Sequence, residues 1–177
     1  LAGIMGGLNS EITEATTDIL LESAYFDPTI IRRGAKMLDL STEASRRFER
    51  GTDIAGVVTA VDQLAQLIHE VAGGTVLNGV VDEYPQIYKN RSIYFSMEKC
   101  NTLLGIDIGE KEFNSILESL QITTKKKSGI LECTIPSFRN DLEREVDLCE
   151  EIARVLGYDN IPSANQFVGS FSSFTKD

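Results

Sequence analysis

Residues 136–162 read PSFRNDLEREVDLCEEIARVLGYDNIP, and this stretch decides the fold of the C-terminal part of the chain. Its apolar residues recur three and four positions apart, which predicts a helix over about 142–156 with one face toward a core. The residues of that face are Val146, Cys149, Ile152, Ala153 and Leu156. Asp141 stands just before the predicted helix, at a position where an aspartate favours the N-cap.

The same stretch carries six carboxylates within the eleven residues 141–151. Asp147, Glu150 and Glu151 share a second face of the predicted helix, because residues three and four apart are neighbours on a helix surface. Asp141 lies at the head of that face. Unpaired like charges this close repel, so the cluster indicates a hard divalent cation with oxygen ligands, Mg2+ before Ca2+. The alternative is a solvated acidic helix, whose early carboxylates suit the positive end of the helix dipole.

The whole run, and not only its carboxylates, resembles the end of the B5 domain in the β subunit of bacterial phenylalanine–tRNA ligases. In that family the segment reads as proline, aromatic residue, arginine, aspartate, an acidic helix and then GYDNIP. The resemblance implies four carboxylates that bind Mg2+ at a site shared with the α subunit. Carried over position by position, these carboxylates are Asp141, Asp147, Glu150 and Glu151.

A second part of the chain resembles the same family independently. The chain reads AGIMGG at 2–7, LLESAYFDP at 20–28 and LSTEASRRFERGTD at 40–53. These stretches resemble the C-terminal half of the β subunit's editing domain, which is called B3/B4. The two resemblances stand in the family's order and together cover nearly the whole chain.

The residues around Glu22 suggest a binding role without reference to any family. The short apolar run 19–21 ends at Glu22, which places a charge where a predicted strand should be mostly buried. A buried carboxylate is costly unless it is hydrogen-bonded, and a phenol or hydroxyl group of a ligand would donate that bond. The alternative is an ion pair between Glu22 and an arginine. The arginines nearby in sequence are Arg32, Arg33, Arg46 and Arg47.

The family resemblance implies that this region hydrolyses Tyr-tRNA(Phe), the mischarged product. Glu22 would accept the tyrosine hydroxyl, and Gly6, Thr42 and Ala44 would shape the same pocket. Small residues at these places suit a site that must admit an aromatic ring. The family's pocket also uses a histidine upstream of this sequence. The single histidine here, His69, lies in a predicted helix well past the pocket stretches, so we expect a surface histidine without a catalytic role.

Periodicity and turn residues predict an α+β protein with two domains and a tail. The first domain, 1–86, would be the C-terminal part of the α/β editing domain, and the second, 87–163, the B5 domain. The B5 domain is expected to be winged-helix-like, similar to DNA-binding domains, and 164–177 would be a linker toward a further domain. We predict the following elements in the first domain: strands at 2–5, 19–25 and 75–84, a helix at 28–38 capped by Asp27, a short helix opened by Ser41 or Thr42, and a helix at 55–71 with a buried apolar face. The second domain should contain a strand at 91–95, a helix at 97–104 ended by Gly105, a helix at 110–120, a hairpin of 122–126 with 130–135, and the acidic helix.

Composition limits the possible functions. A net charge of -10 and a pI of about 4.6 argue against autonomous nucleic-acid binding, which needs a basic surface. The only basic run, 125–127, stands at the predicted hairpin turn. Three cysteines without CxxC spacing indicate reduced thiols and a cytoplasmic setting. No apolar run approaches the roughly 20 residues that span a bilayer. The start at Leu1, without an initiator Met, suggests an excised segment.

The resemblance therefore implies a fragment of an enzyme that attaches phenylalanine to tRNA(Phe) with ATP and Mg2+, as an α2β2 heterotetramer. The ligation site is expected on the α subunit, so the fragment should not catalyse ligation itself. It would contribute to editing, Mg2+ binding and contact with the α subunit. One alternative is a purely structural assembly module with a vestigial editing pocket. Another is an RNA-binding module, which the acidic charge disfavours.

Overall fold

The computed structural model describes residues 1–127 and 129–163, and contacts divide the chain into two compact units. The units consist of Leu1–Arg91 with Pro136–Asp141, and of Ser92–Ile135 with the chain from Leu142 onward. The predicted linker at 164–177 lies outside the described residues. Helices combine with a small antiparallel sheet, which confirms the α+β class.

The helices of the first unit begin and end at local signals in the sequence. They are α1 (Pro28–Leu38), α2 (Glu43–Phe48) and α3 (Val57–Ala72). Asp27 caps α1 as predicted, since its Oδ1 accepts a hydrogen bond from the N–H of Thr29 at 2.8 Å. Thr42 caps α2, where its Oγ1 accepts from the N–H of Ser45 at 3.0 Å. Gly73, with φ of 76°, ends α3 in a conformation that favours glycine.

A small apolar core holds the first unit together. Ile4 from the N-terminal turn is buried with Ile31 and Ala35 of α1. Phe26 and Phe48 pack against this cluster and meet edge to face, with ring centroids 4.9 Å apart. The core therefore joins the N-terminal turn to α1 and to the end of α2.

The three strands predicted in the first unit do not form. Residues 2–5, 19–25 and 75–84 lie in turns or irregular backbone, and Leu20 and Val81 are 97% and 93% exposed. A strand needs a neighbour to pair its backbone groups. Among the described residues of the first unit, no such pairing occurs. The prediction of three strands in the first unit was therefore wrong.

The predicted buried face of α3 is also wrong. Val57, Val61, Ala65 and Ile68 follow the helical repeat but are only half-buried, and Val71 is exposed. All of α3 lies in the described part of the chain, and none of its residues is buried. The helix forms from local pattern alone and presents its apolar side to few neighbours.

The second unit contains an antiparallel sheet in the order β1-β3-β2. Its strands are β1 (Ser92–Phe95), β2 (Thr123–Lys127) and β3 (Ile130–Thr134). Leu131 and Cys133 of β3 are buried and lie opposite Phe95 and Ile93 of β1. The predicted hairpin of β2 with β3 is confirmed. Ser128 of its turn lies outside the described residues.

Three further helices, counted over the described residues, belong to this unit: α4 (Met97–Leu104), α5 (Glu110–Ser119) and α6 (Glu145–Leu156). Gly105, in the left-handed region at φ 67°, ends α4 as predicted. A one-turn 3-10 helix, Tyr158–Asn160, follows α6. Helices α5 and α6 contact the sheet, and α4 packs against α6.

The core of the second unit is larger than that of the first. Phe95 and Phe113 meet edge to face at its centre, with centroids 5.5 Å apart. The buried residues of this core are Ile93, Phe95, Cys100, Phe113, Ile116, Leu117, Ile122, Leu131, Cys133, Ile135, Leu142, Leu148, Cys149 and Ile152. Leu148 is fully buried on α6, whereas Val146 is 46% exposed. The predicted apolar face of α6 was therefore wrong at Val146 and omitted Leu148.

Candidate functional site

The acidic helix α6 begins at Glu145, three residues later than predicted, and Asp141 is not its N-cap. The reason lies in Asp147, which folds back onto the chain before the helix. Its Oδ2 accepts hydrogen bonds from the N–H of Glu143 at 2.9 Å and of Arg144 at 2.7 Å. These bonds lower the pKa of Asp147, because they stabilise its charged form. Asp147 thus satisfies the backbone groups that Asp141 was expected to cap.

Two carboxylates of α6 pair with arginines at helical spacing. Asp147 Oδ1 accepts from Arg144 Nη2 at 3.1 Å. Glu151, which is buried, accepts from Arg154 Nη2 at 2.6 Å and from Arg154 Nε at 3.3 Å. Glu150 lies between them in sequence and is exposed. The two ion pairs neutralise part of the like-charge repulsion that the sequence alone presents.

Asp141, assigned to the first unit, has an arginine partner of its own. Arg139 donates two parallel hydrogen bonds to Asp141, from Nε to Oδ1 at 2.8 Å and from Nη2 to Oδ2 at 2.6 Å. Such bidentate pairs are among the stronger polar contacts of proteins. Sequence analysis did not predict that these arginines pair with the carboxylates. The spacing offered a signal, because Arg144 and Arg154 each stand three residues from their partner.

Asp147 and Glu150 are the two predicted ligands that the structure brings together. Both line a cleft beside α4, with Arg144, Cys149 and Tyr158 among the other lining residues. Within the described residues, no group of three Asp, Glu, His or Cys side chains is arranged to hold a metal ion. The donor chemistry fits Mg2+, since all four predicted ligands offer carboxylate oxygens. Arginines already bind three of these carboxylates, so a cation would share or compete for their oxygens.

Glu145 is a structural carboxylate that sequence analysis did not single out. Its Oε1 accepts a hydrogen bond from the N–H of Ser96 at 2.7 Å, and its Oε2 lies 3.6 Å from Lys99 Nζ. Ser96 caps α4, with its Oγ accepting from the Lys99 N–H at 3.3 Å. Glu145 therefore joins the beginning of α6 to the beginning of α4.

Glu22 is exposed, in irregular backbone, so the prediction of a buried carboxylate in a strand was wrong. The alternative, an ion pair with a nearby arginine, is not found among the described residues either. Its oxygens are left to solvent because the predicted strand that should bury it has no partner. The role of Glu22 as a tyrosine acceptor stays a prediction.

Thr42 connects two of the three stretches proposed for the pocket. Its Oγ1 donates a hydrogen bond to the carbonyl oxygen of Ile4 at 2.5 Å, two residues before Gly6. Gly6 is exposed, and a side chain added there would meet no atom within 4 Å. Ala44 is exposed in the first turn of α2. The geometry thus fixes Thr42 beside the turn before Gly6 and leaves open space at Gly6.

His69 lies on the surface as predicted. Its Nδ1 is 2.8 Å from the carbonyl oxygen of Gly74, just past the end of α3. Through this contact the His69 side chain binds the backbone just after α3 and helps to end that helix.

Within the described residues, every helix is too short or too polar to cross a membrane.

Comparison with known proteins finds two domain families along the chain. Residues 1–73 match the B3/4 domain, and residues 93–158 match the tRNA synthetase B5 domain. The phenylalanine–tRNA ligase beta subunit of Geobacter sulfurreducens is 54% identical over 162 residues, which are 91% of this chain and 20% of that protein. The beta subunit of Syntrophotalea carbinolica is 51% identical over 92% of this chain and 21% of its own length. That of Salinibacter ruber is 45% identical over 92% of this chain. The chain spans about a fifth of the length of these curated relatives.

Proposed function

Because the chain belongs to the family of phenylalanine–tRNA ligase β subunits, we propose that it works within an enzyme that attaches phenylalanine to tRNA(Phe) with ATP and Mg2+. The observation that supports this is the succession of a B3/4 and a B5 domain along one chain. The partner would be an α subunit that carries the ligation site, in a cytoplasmic α2β2 assembly. Phenylalanine charging by the full-length protein with its α subunit tests the proposal, and no charging would refute it.

The first part of the proposal is that the B3/4 region takes part in editing. Glu22 would accept the tyrosine hydroxyl, and Gly6, Thr42 and Ala44 would shape the pocket. Two observations support it. Among the described residues Glu22 has no ion-pair partner, so its oxygens are available to a ligand. Thr42 is fixed by its bond to Ile4, which stands two residues before Gly6, and a side chain added at Gly6 would meet no atom within 4 Å.

Hydrolysis of Tyr-tRNA(Phe) by the full-length α2β2 enzyme tests the editing proposal. Glu22→Ala should lose hydrolysis selectively and keep phenylalanine charging. Glu14→Ala is a matched control, since Glu14 is also an exposed carboxylate before α1, in a turn. Equal hydrolysis in the Glu22 variant and the unmodified enzyme would exclude that role for Glu22.

The second part of the proposal concerns Mg2+ and the α subunit. Asp141, Asp147, Glu150 and Glu151 would hold the ion, which supplies positive charge for oxygen ligands from both subunits. Support comes from the cleft where Asp147 and Glu150 lie together. The arginines at Asp147 and Glu151 would neutralise those carboxylates whenever the ion is absent.

Metal content and subunit association of the assembled enzyme test this second part. A double variant, Asp147→Asn with Glu150→Gln, should lose bound Mg2+ and associate less tightly with the α subunit. Glu118→Gln, an exposed carboxylate on α5, is the control and should change neither property. Unchanged metal content in the double variant would contradict the proposal.

A purely structural role in assembly is the second candidate. Three side chains that line the cleft beside α4 favour this role, namely Leu103, Val146 and Tyr158. All three are exposed, and exposed apolar surface often marks a site of contact with another protein. The two candidates differ in the Glu22 experiment. An assembly module predicts that Glu22→Ala leaves Tyr-tRNA(Phe) hydrolysis unchanged.

A further inference from the structure

Helices α4 and α6 lie side by side in a fixed register. Ser96 donates its N–H to Glu145 Oε1 at 2.7 Å at the start of both helices. Four residues further along each helix stand Cys100 and Cys149, which are both buried in the core of the second unit and lie close enough for each thiol to affect the pKa of the other. Four residues on an α-helix advance the chain by about 6 Å, slightly more than one turn. Helices α4 and α6 pack against each other, so the equal offset from the Ser96–Glu145 contact indicates that they run in the same direction here and that the two cysteines stand at the same level.

The register continues for another turn and opens at a cleft. Leu104 and Ala153, four residues beyond the cysteines, line the same cleft as Asp147 and Glu150. Cys149 also lines this cleft and is 3% exposed, whereas Cys100 is 0% exposed. A small solute in the cleft would therefore reach Cys149 before Cys100.

We propose that Cys100 and Cys149 form a reversible disulfide when a peroxide enters the cleft beside α6. This reactivity would add an oxidation-sensitive crosslink between two helices, and it does not depend on the proposed function. All three cysteines of the chain are free thiols in the structure, which is the reduced form of the pair.

Hydrogen peroxide supplies the oxidising equivalents, and the chemistry proceeds in two steps. The sulfur of Cys149 attacks the O–O bond, so that an S–O bond forms, the O–O bond breaks and one water leaves. The product is the sulfenic acid of Cys149. The sulfur of Cys100 then attacks that of Cys149, so that the S–S bond forms, the S–O bond breaks and a second water leaves with the Cys100 proton. A dithiol reductant reverses the result.

Cys133 provides an internal comparison within the same core. It is 0% exposed on β3, and its sulfur lies 4.0 Å from the carbonyl oxygen of Leu131. Cys100 is 0% exposed as well, so the two thiols are equally buried. Reaction at the pair without reaction at Cys133 would therefore reflect the placement of Cys100 next to Cys149 and not a difference in burial.

A non-reducing peptide map of the full-length protein tests the proposal. The folded protein is treated with hydrogen peroxide at neutral pH, its free thiols are alkylated, and the digest is analysed by mass spectrometry. We expect a peptide that links Cys100 to Cys149, its disappearance after dithiothreitol, and alkylated Cys133. Cys133→Ala should form the linked peptide at an unchanged rate. Cys100→Ala should form none and should leave a sulfenic acid on Cys149 that dimedone traps.

Three results would overturn the proposal. The first is a linked peptide that contains Cys133, and the second is oxidation of Cys149 to sulfinic acid in the unmodified protein without any linked peptide. The third is survival of all three free thiols under conditions that oxidise the unfolded chain. The map of the unmodified protein decides between these results even if a variant fails to fold.

Discussion

At the scale of one residue, the carboxylate of Asp147 should make the stability of the fold depend on pH. Its pKa lies below the usual 3.8, first because the Glu143 and Arg144 N–H groups bond to its charged form, and also because the Arg144 guanidinium is near. A carboxylate with a lower pKa in the folded chain stabilises the fold above its unfolded pKa. That stabilisation is lost as the pH falls through the folded value.

Asp147→Asn keeps an oxygen that can accept the two backbone hydrogen bonds but removes the negative charge. The variant therefore separates the contribution of hydrogen bonding from that of charge. We expect its Tm to be a few degrees lower than that of the unmodified protein near neutral pH. The difference should narrow as the pH falls below 3.8 and should close only below the lowered pKa of the folded carboxylate, where the unmodified side chain is also neutral. Thermal unfolding between neutral and acid pH measures this. Asp107→Asn, at an exposed aspartate of the same unit, is the control, and an equal shift in it would contradict the assignment.

The start of α6 shows why sequence analysis misplaced a residue. Asp141 and Asp147 both suit a helix N-terminus by residue type, and pattern cannot decide between them. The structure favours Asp147, because it reaches back to two N–H groups while Asp141 binds Arg139. The face shared by Asp147 and Glu150 was predictable, since helical spacing alone determines it.

At the scale of elements, helix α6 packs through Leu148, which the prediction omitted, and through Cys149, Ile152 and Ala153 of the predicted stripe. Leu148 is 0% exposed and belongs to the core of the second unit. Leu148→Ala should destabilise that unit by about 3 kcal/mol, through lost burial and the cavity left behind. Leu103→Ala is matched in chemistry, but Leu103 is 62% exposed on α4 and should cost less than about 0.5 kcal/mol. Denaturant unfolding measures both, and equal losses would show that α6 does not anchor the core.

Elements with local signals were predictable, and elements that need distant partners were not. Asp27 and Pro28 begin α1, and Gly105 ends α4, because each acts on its immediate neighbours. The hairpin of β2 and β3 was found because its two strands are adjacent in sequence. The runs 19–25 and 75–84 have the composition of strands but no partner among the described residues of their unit. Pairing of that kind is set by the rest of the fold.

At the scale of the whole molecule, net charge decides whether the chain can bind RNA by itself. The formal charge is -10, and nucleic-acid binding draws most of its affinity from cations that neutralise phosphates. The basic run 125–127 lies on β2, where Lys126 already pairs with Glu110. Lysines on an edge strand also protect it from pairing with other chains. We therefore expect these lysines to protect the edge of the sheet and to contribute little positive charge for binding a phosphate backbone.

Titration of the 177-residue chain with tRNA(Phe) at low salt tests this argument. We expect no binding tighter than a Kd of about 10⁻⁴ M, the weak end of non-specific association. A triple variant with glutamine at 125–127 is the control and should give the same result. Tighter binding that the triple variant abolishes would make the hairpin an RNA contact. In that case the local arrangement of three lysines would outweigh the acidic charge of the whole chain, and contact with tRNA would not depend on partner subunits.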